Sequence, residues 1–268
     1  MPKYSAVRFD GQAETHEQRT GIPEEKCLEV ARAIESLAAA AKNRLLLDLG
    51  AGTGLPGAWF PEVGFRYVGL DASEPMLKLF AERRQPSPGA VDLVLADVDG
   101  RWPVEDGTVD VVFSSRAAHL FDREHLVAEA ERVAKPGAAF VLGRVQREKR
   151  GMRRRLRDEM RARLRERGFE PTDAGKAHER IVRALRERGA KPLPSTVAAA
   201  WQARHSAADV LNAWKTTSGL GGCELAPGSK EEILAELWIW AEKNLDSVDA
   251  PLSSEERFTL EAVRMGPA

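Results

Sequence analysis

The stretch Asp48-Leu49-Gly50-Ala51-Gly52-Thr53-Gly54 follows directly on the apolar run Leu45-Leu46-Leu47. Glycines at this density let a backbone turn sharply and let a ligand approach without meeting a Cβ. Two further acids close apolar runs: Asp71 after Arg66–Leu70 and Asp97 after Val91–Leu95. Asp48 can receive hydrogen bonds near an ammonium group, whereas it would repel a pyrophosphate. Asp71 can accept from both hydroxyls of a ribose, and Asp97 from an exocyclic adenine amine. Three acids on three successive strand ends suit a nucleoside carrying an amino-acid tail better than a dinucleotide. The competing reading is a nicotinamide-dependent oxidoreductase, because Gly52-x-Gly54-x-x-Gly57 also fits the dinucleotide fingerprint and Asp71 serves either ligand. Against it, the two tyrosines, Tyr4 and Tyr67, head no Tyr-x-x-x-Lys pair, so a short-chain dehydrogenase would lack its catalytic residues.

A second group follows the fourth apolar run, Val109–Phe113, in Ser114-Ser115-Arg116-Ala117-Ala118-His119. His119 has the side-chain chemistry of a general base at neutral pH, able to take a proton from an acceptor hydroxyl or carbon acid. The plainer reading is a histidine that fixes the start of the next helix. Arg116 can clamp an acceptor carboxylate, or simply be solvated at a helix entrance. No carboxylate–histidine cluster has metal-ligand spacing, so no metal is expected.

These residues need a scaffold that brings strand ends together. Short apolar runs alternate with amphipathic helical stretches from about residue 24: strands at 45–47, Arg66–Leu70, Val91–Leu95, Val109–Phe113 and Ala138–Gly143, with a helix over Glu24 to Ala40. Between the last two strands, Asp122 caps a helix with the inward stripe Leu126, Val127, Ala130 and Val133, and Lys135-Pro136-Gly137 stops it. Near-continuous apolar strands alternating with helices imply a parallel sheet covered on both faces. Beyond Arg144 the pattern becomes helical and basic over Gly151 to Phe169. A helix follows at Lys176–Arg188, then a sixth strand at Thr196–Trp201, helices at about 207–216 and 230–244, and a last strand at Phe258–Val263. The expected architecture is α/β: a doubly wound, seven-stranded, mostly parallel Rossmann-like sheet with helical cap insertions. One domain would fill 1–268, its core at about 24–145, 175–204 and 255–265 and its cap elements at about 1–23, 146–174 and 205–254. The run Arg153-Arg154-Arg155 invites an RNA-binding reading, but Asp158, Glu159 and Glu166 interleave with the bases and no stacking aromatics accompany them. Trp201, Trp214, Trp238 and Trp240 read as core.

Composition excludes other classes. The chain has 268 residues, 43% hydrophobic and 30% charged, with net charge −1, so overall charge favours neither nucleic acid nor an anionic membrane as partner. Cys27 and Cys223, far apart and without CxxC spacing, fit a reducing cytosol. The N-terminus lacks a signal-peptide core, and no apolar run reaches the ~20 residues of a membrane span. Nothing in the sequence specifies an oligomeric state.

Taken in order, Asp48-Leu-Gly-Ala-Gly-Thr-Gly54, Val68-Gly-Leu-Asp71-Ala-Ser, Leu95-Ala-Asp97-Val, Trp102-Pro-Val-Glu-Asp-Gly-Thr-Val-Asp110-Val-Val and Lys135-Pro-Gly137 resemble the motif set of class I S-adenosylmethionine-dependent methyltransferases. More narrowly they are similar to the small-molecule branch that includes ubiquinone-biosynthesis enzymes. The resemblance covers about residues 24–145. It implies S-adenosylmethionine as cofactor and a small-molecule methyl acceptor, and the absence of Asn-Pro-Pro-Tyr and of a Pro-Cys pair argues against a nucleic-acid target. It implies that Gly50, Ala51, Gly52 and Gly54, with Asp48, line the methionine part. Asp71 would hold the ribose with Ala72 and Met76 nearby, Asp97 and the Val98 amide would read the adenine, and Ser114 would give a backbone contact beneath the sulfonium. Pro61 departs from the pattern by cutting the first helix short. The resemblance also implies that an N-terminal segment with Tyr4, Arg8 and His16 closes over the cofactor, and that the inserted helices select the acceptor. A noncatalytic or RNA-associated S-adenosylmethionine-binding protein is the remaining alternative.

Overall fold

The structure is a computed structural model that describes residues 22–39, 43–83, 89–147, 150–171, 174–217, 219–226 and 228–266. Tyr4, Arg8 and His16 lie outside the described residues. Strands β1 (Arg44–Leu49), β2 (Phe65–Asp71), β3 (Val91–Leu95), β4 (Val109–Ser115) and β5 (Ala134–Gln146) alternate with helices α1 (Cys27–Glu35), before β1, α2 (Glu74–Arg83) and α3 (Arg123–Val133). The chain continues through α4 (Met152–Glu166), α5 (Ala174–Glu187), β6 (Lys191–Pro192), β7 (Thr196–His205), α6 (Ala207–Lys215), α7 (Ser229–Asn244) and β8 (Leu252–Arg264).

The strands form one sheet in the order β3-β2-β1-β4-β5-β8-β6, with β7 paired to β8. β1, β2, β3, β4 and β5 pair in parallel, and β6 runs antiparallel to β8. The sheet has eight strands where seven are expected. The difference is the short β6, whose Pro192 removes one ladder donor and gives the periodicity no apolar run to detect. β1 and β4 are the central strands, and their inner residues are buried, as the uninterrupted Leu45-Leu46-Leu47 and Val109–Phe113 runs require.

The two sheet faces are packed differently. On one, Leu47, Leu49, Val112, Phe140 and Leu142 meet α3 through Leu126, Val127, Ala130 and Val133, and α5 through Ile181 and Leu185. Asp122 caps α3, its side chain accepting from the His125 amide at 2.9 Å. Lys135-Pro136-Gly137 does not form a loop after this helix but begins β5, because Ala134 pairs directly with Val109. The other face is aromatic: Phe60 stacks on Tyr67 at 6.0 Å and meets Phe113 edge-on at 5.3 Å, and Tyr67 lies 5.5 Å from Phe80. Here the helix normally expected after β1 is reduced to a 3-10 segment, Gly57–Val63, with Pro61 inside it and Gly64 left-handed at its end. Pro61 supplies no amide proton, so the segment cannot lengthen into an α-helix.

The chain divides into two compact units, Met1–Val145 with Ala174–Ala200 and Arg257–Ala268, and Gln146–Asp173 with Trp201–Glu256. In the second, Met152, Leu156, Met160 and Leu164 of α4 pack with Val210 and Leu211 of α6 and Ile233, Leu234 and Leu237 of α7. Trp214, Trp238 and Trp240 pack half-buried against that cluster. Both cysteines are free and buried. No helix among the described residues is long and apolar enough to cross a membrane.

A buried charge network braces the segment before β4. Glu129 accepts from the Trp102 amide at 2.8 Å and from Arg132 at 2.6 and 2.7 Å, and Arg132 also reaches Asp106 at 2.6 Å. Those bonds hold the Glu129 carboxyl down at about 2. Glu129→Ala leaves the guanidinium and the Trp102 amide without their carboxylate, and we expect a loss of about 3–5 kcal/mol in urea denaturation at pH 7.

Candidate functional site

The parallel strands end together along one edge, where a doubly wound sheet binds its ligands. β1 passes into a turn whose two first amides, Gly50 and Ala51, both donate to the Leu70 carbonyl at 2.9 Å. Gly50 and Gly52 have φ of +75° and +56°, which side chains rarely adopt. They differ in what surrounds them. A Cβ on Gly50 would lie 2.5 Å from the Ala117 Cβ, so the turn packs tightly on the loop after β4. Among the described residues, a Cβ on Gly52 would meet nothing nearer than the Gly50 carbonyl at 4.0 Å, which leaves space above the turn.

Asp71 ends β2 and ties this turn down. One of its oxygens accepts from the Gly52 amide at 2.8 Å and the other from the Ser73 amide at 2.9 Å. The carboxylate is half-buried. Asp97 is exposed beyond β3 and accepts from the Asp99 amide at 2.9 Å. The neighbouring Val98 side chain is buried in the core, while Ala72 is exposed and Met76 is buried on α2. Ser114 is fully buried, and its hydroxyl donates to the Leu49 carbonyl at 2.8 Å. The open side of Gly54 is taken by the Phe80 ring, 2.7 Å from where a Cβ would sit.

Asp48 is 3% exposed. One oxygen accepts from the Tyr67 hydroxyl at 2.7 Å, and the other, Oδ1, is buried without a hydrogen-bond partner. Burial raises the carboxyl to about 7; the Tyr67 hydrogen bond opposes this, Asp71 adds to it and Arg116 opposes it. Tyr67 is a site residue that sequence reasoning left unassigned. Its signal was register: Asp48 pairs with Gly69, so Tyr67, two residues upstream, projects on the same face as a diagonal cross-strand neighbour. Glycines make room for it. A Cβ on Gly69 would strike the Tyr67 ring at 2.8 Å, and one on Gly57 its hydroxyl at 2.5 Å. Gly57, the third glycine of the dinucleotide-like spacing, therefore serves the Asp48–Tyr67 contact.

A family model described as a methyltransferase domain matches residues 47–142. Over these residues the chain is similar to methyltransferase domains. The chain is 37% identical over 103 residues to demethylmenaquinone methyltransferase of Thermobifida fusca, and 35% identical over 105 residues to a cypemycin N-terminal methyltransferase of a Streptomyces species. Each match covers 37% of this chain, and 43% and 41% of those proteins, so the chain matches less than half the length of these relatives. The fold is shared with a structure from Anaeromyxobacter dehalogenans provisionally described as a type II methyltransferase, at TM-score 0.55 and 20% identity over 90% of this chain and 97% of that one. The family model that matches is that of a methyltransferase domain.

A second set of polar groups lies just past β4 and on α5. Arg116, just past β4, has φ +62°, a left-handed conformation costing a non-glycine residue about 1–3 kcal/mol that persists mainly where function needs it. Its amide donates to the Gly143 carbonyl at 3.1 Å. His119 is half-buried in the 3-10 turn Ala118–Leu120, which packs against α5. From α5, outside the matched stretch, comes His178, 1% exposed, with neither ring nitrogen hydrogen-bonded. Burial lowers its pKa to about 4, helped by Arg144 and His119. Sequence reasoning missed His178, although it stands on the inward stripe with Ile181 and Leu185. Among the described residues no three His, Cys, Asp or Glu side chains gather as a metal site.

The raised Asp48 carboxyl has a stability signature. Its folded value lies above the unfolded one, so the folded state holds the proton more tightly and stability falls as pH rises from about 4 to about 7. Asp48→Asn removes the buried charge. Its melting temperature should exceed that of the wild type by a gap that opens across this window and stays constant above it; a gap that closes as pH rises would contradict the burial argument.

Proposed function

We propose that the protein transfers the methyl group of S-adenosylmethionine to a small-molecule acceptor by in-line displacement, acting in the cytoplasm. The carrying observation is the buried Asp48 Oδ1, a carboxylate oxygen without a partner beside a glycine turn with open space above Gly52. An unpaired buried carboxylate oxygen is costly unless something donates to it, and an amino-acid ammonium group does. The residues present therefore fit the cofactor. Asp48, Gly50, Ala51, Gly52 and Gly54 would hold its methionine part, Asp71 with Ala72 and Met76 its ribose, Asp97 and Val98 its adenine, and Ser114 would supply a backbone contact beneath the sulfonium. When bound, the cofactor supplies a methyl group on a sulfonium, a good leaving group. The protein's own contribution is positioning and exclusion of water. His119 takes the proton of the acceptor, and Arg116 orients an acceptor anion.

A small acceptor is favoured over nucleic acid by the way the basic helix spends its charge. Arg153 binds Glu256 at 2.8 Å, Arg154 binds Asp158 at 2.7 Å, and Arg155 donates to the Asn244 carbonyl at 2.8 Å and lies over the Trp240 ring. All three are engaged within their own unit instead of forming a free basic face.

Equilibrium binding of labelled S-adenosylmethionine tests the reading. Saturable binding is expected, together with a melting temperature raised by about 5–10 °C at a hundredfold excess over Kd, and no such shift with NAD(H). Asp71→Ala should abolish both effects; a variant that binds as the wild type does would end the proposal. Once an acceptor is in hand, His119→Ala should lower kcat about a hundredfold with cofactor affinity unchanged.

A further inference from the structure

His178 takes no part in the cofactor cradle. It lies on the stripe of α5 that faces the core, at i, i+3 and i+7 with Ile181 and Leu185, one turn nearer the start of the helix. Buried histidines almost always tie at least one ring nitrogen to a carbonyl or carboxylate. This one ties neither, and no core requirement explains a polar ring where an aliphatic side chain would continue the stripe. Its electrostatic surroundings are positive: Arg144, near the end of β5, and His119 both act against its protonation. Arg144 gives one guanidinium nitrogen to Glu261 at 2.5 Å, while its Nε is buried without a hydrogen-bond partner. The imidazole is thus neutral, offering one N–H donor and one lone pair. With the Arg144 Nε–H, two unpartnered donors stand in a positive field.

Resting on the methyltransferase reading above, we propose that His178 and Arg144 form a buried subsite for a carboxylate of the methyl acceptor. The two oxygens of a carboxylate match the two donors in number, and the free lone pair of His178 takes a hydroxyl or water proton. The protein is then selective for acidic acceptors over their neutral esters, and His178 is a specificity-determining residue contributed from outside the matched domain. Such a site explains why the fold tolerates unpaired nitrogens, since the ligand satisfies them.

The test uses the full chain saturated with S-adenosylhomocysteine and titrated calorimetrically with benzoate and salicylate, each against its methyl ester. The acids should bind at least about tenfold more tightly than the esters. His178→Leu should lose acid binding about tenfold or more while S-adenosylhomocysteine affinity stays unchanged and the melting temperature holds or rises. His178→Gln, which keeps a donor and an acceptor, should retain part of the affinity, and it and Arg144→Gln carry the test if the leucine variant does not fold. The proposal is overturned if neither acid binds the wild-type complex, if acids and esters bind alike, or if acid binding survives in the variants. Failure of the wild type to bind S-adenosylhomocysteine would strike the methyltransferase reading instead, and the acids titrated without it would still decide on the subsite.

Discussion

The Asp71 carboxylate at the end of β2 holds the glycine turn at the end of β1, and the ligand cradle depends on that contact. A backbone with two left-handed glycines in three residues has many conformations open to it when unfolded, and ordering it is expensive. Two amides on the Leu70 carbonyl and one on Asp71 choose a single conformation. The same carboxylate takes the Ser73 amide ahead of α2, so the turn and the start of that helix are set relative to each other by one side chain. An acid here does structural work at two backbone amides at once.

Beneath the turn the protein accepts an electrostatic cost. Asp48 is buried and pairs through one oxygen only, with Tyr67, whose ring packs on Phe60 and Phe80. A well-packed apolar residue would be more stable at that position. Three glycines, 54, 57 and 69, surrender their side chains so that Phe80 and Tyr67 can approach. A similar imbalance recurs just past β4 and on α5, in the left-handed Arg116 and the unsatisfied His178. Strain and unpaired buried polar groups of this kind persist mainly where function needs them.

The fold alone would not assign the chemistry, since open α/β sheets host many reactions at this edge. What supports the proposed reading is the character of the site: a buried acid with one unpaired oxygen and an acid tied to the glycine turn. Transfer from a good leaving group asks little acid–base machinery of the protein, which is consistent with a site built more from shape and hydrogen-bond donors than from a catalytic constellation.

Much of this was legible in the chain because the signals are local. The parallel strand–helix alternation, the Asp122 cap, the Pro61 interruption and the acids closing β1, β2 and β3 follow from period, capping chemistry and spacing within a few residues. The eighth strand escaped because a two-residue strand containing proline has no period to read. The turn's contact with Ala117, the Tyr67 bond to Asp48 and the electrostatic influence of Arg144 on His178 were decided only by tertiary structure. They join residues 19 to 67 positions apart through strand register and helix docking, and the energies that select them are those of packing and desolvation, which no local pattern of residue types encodes.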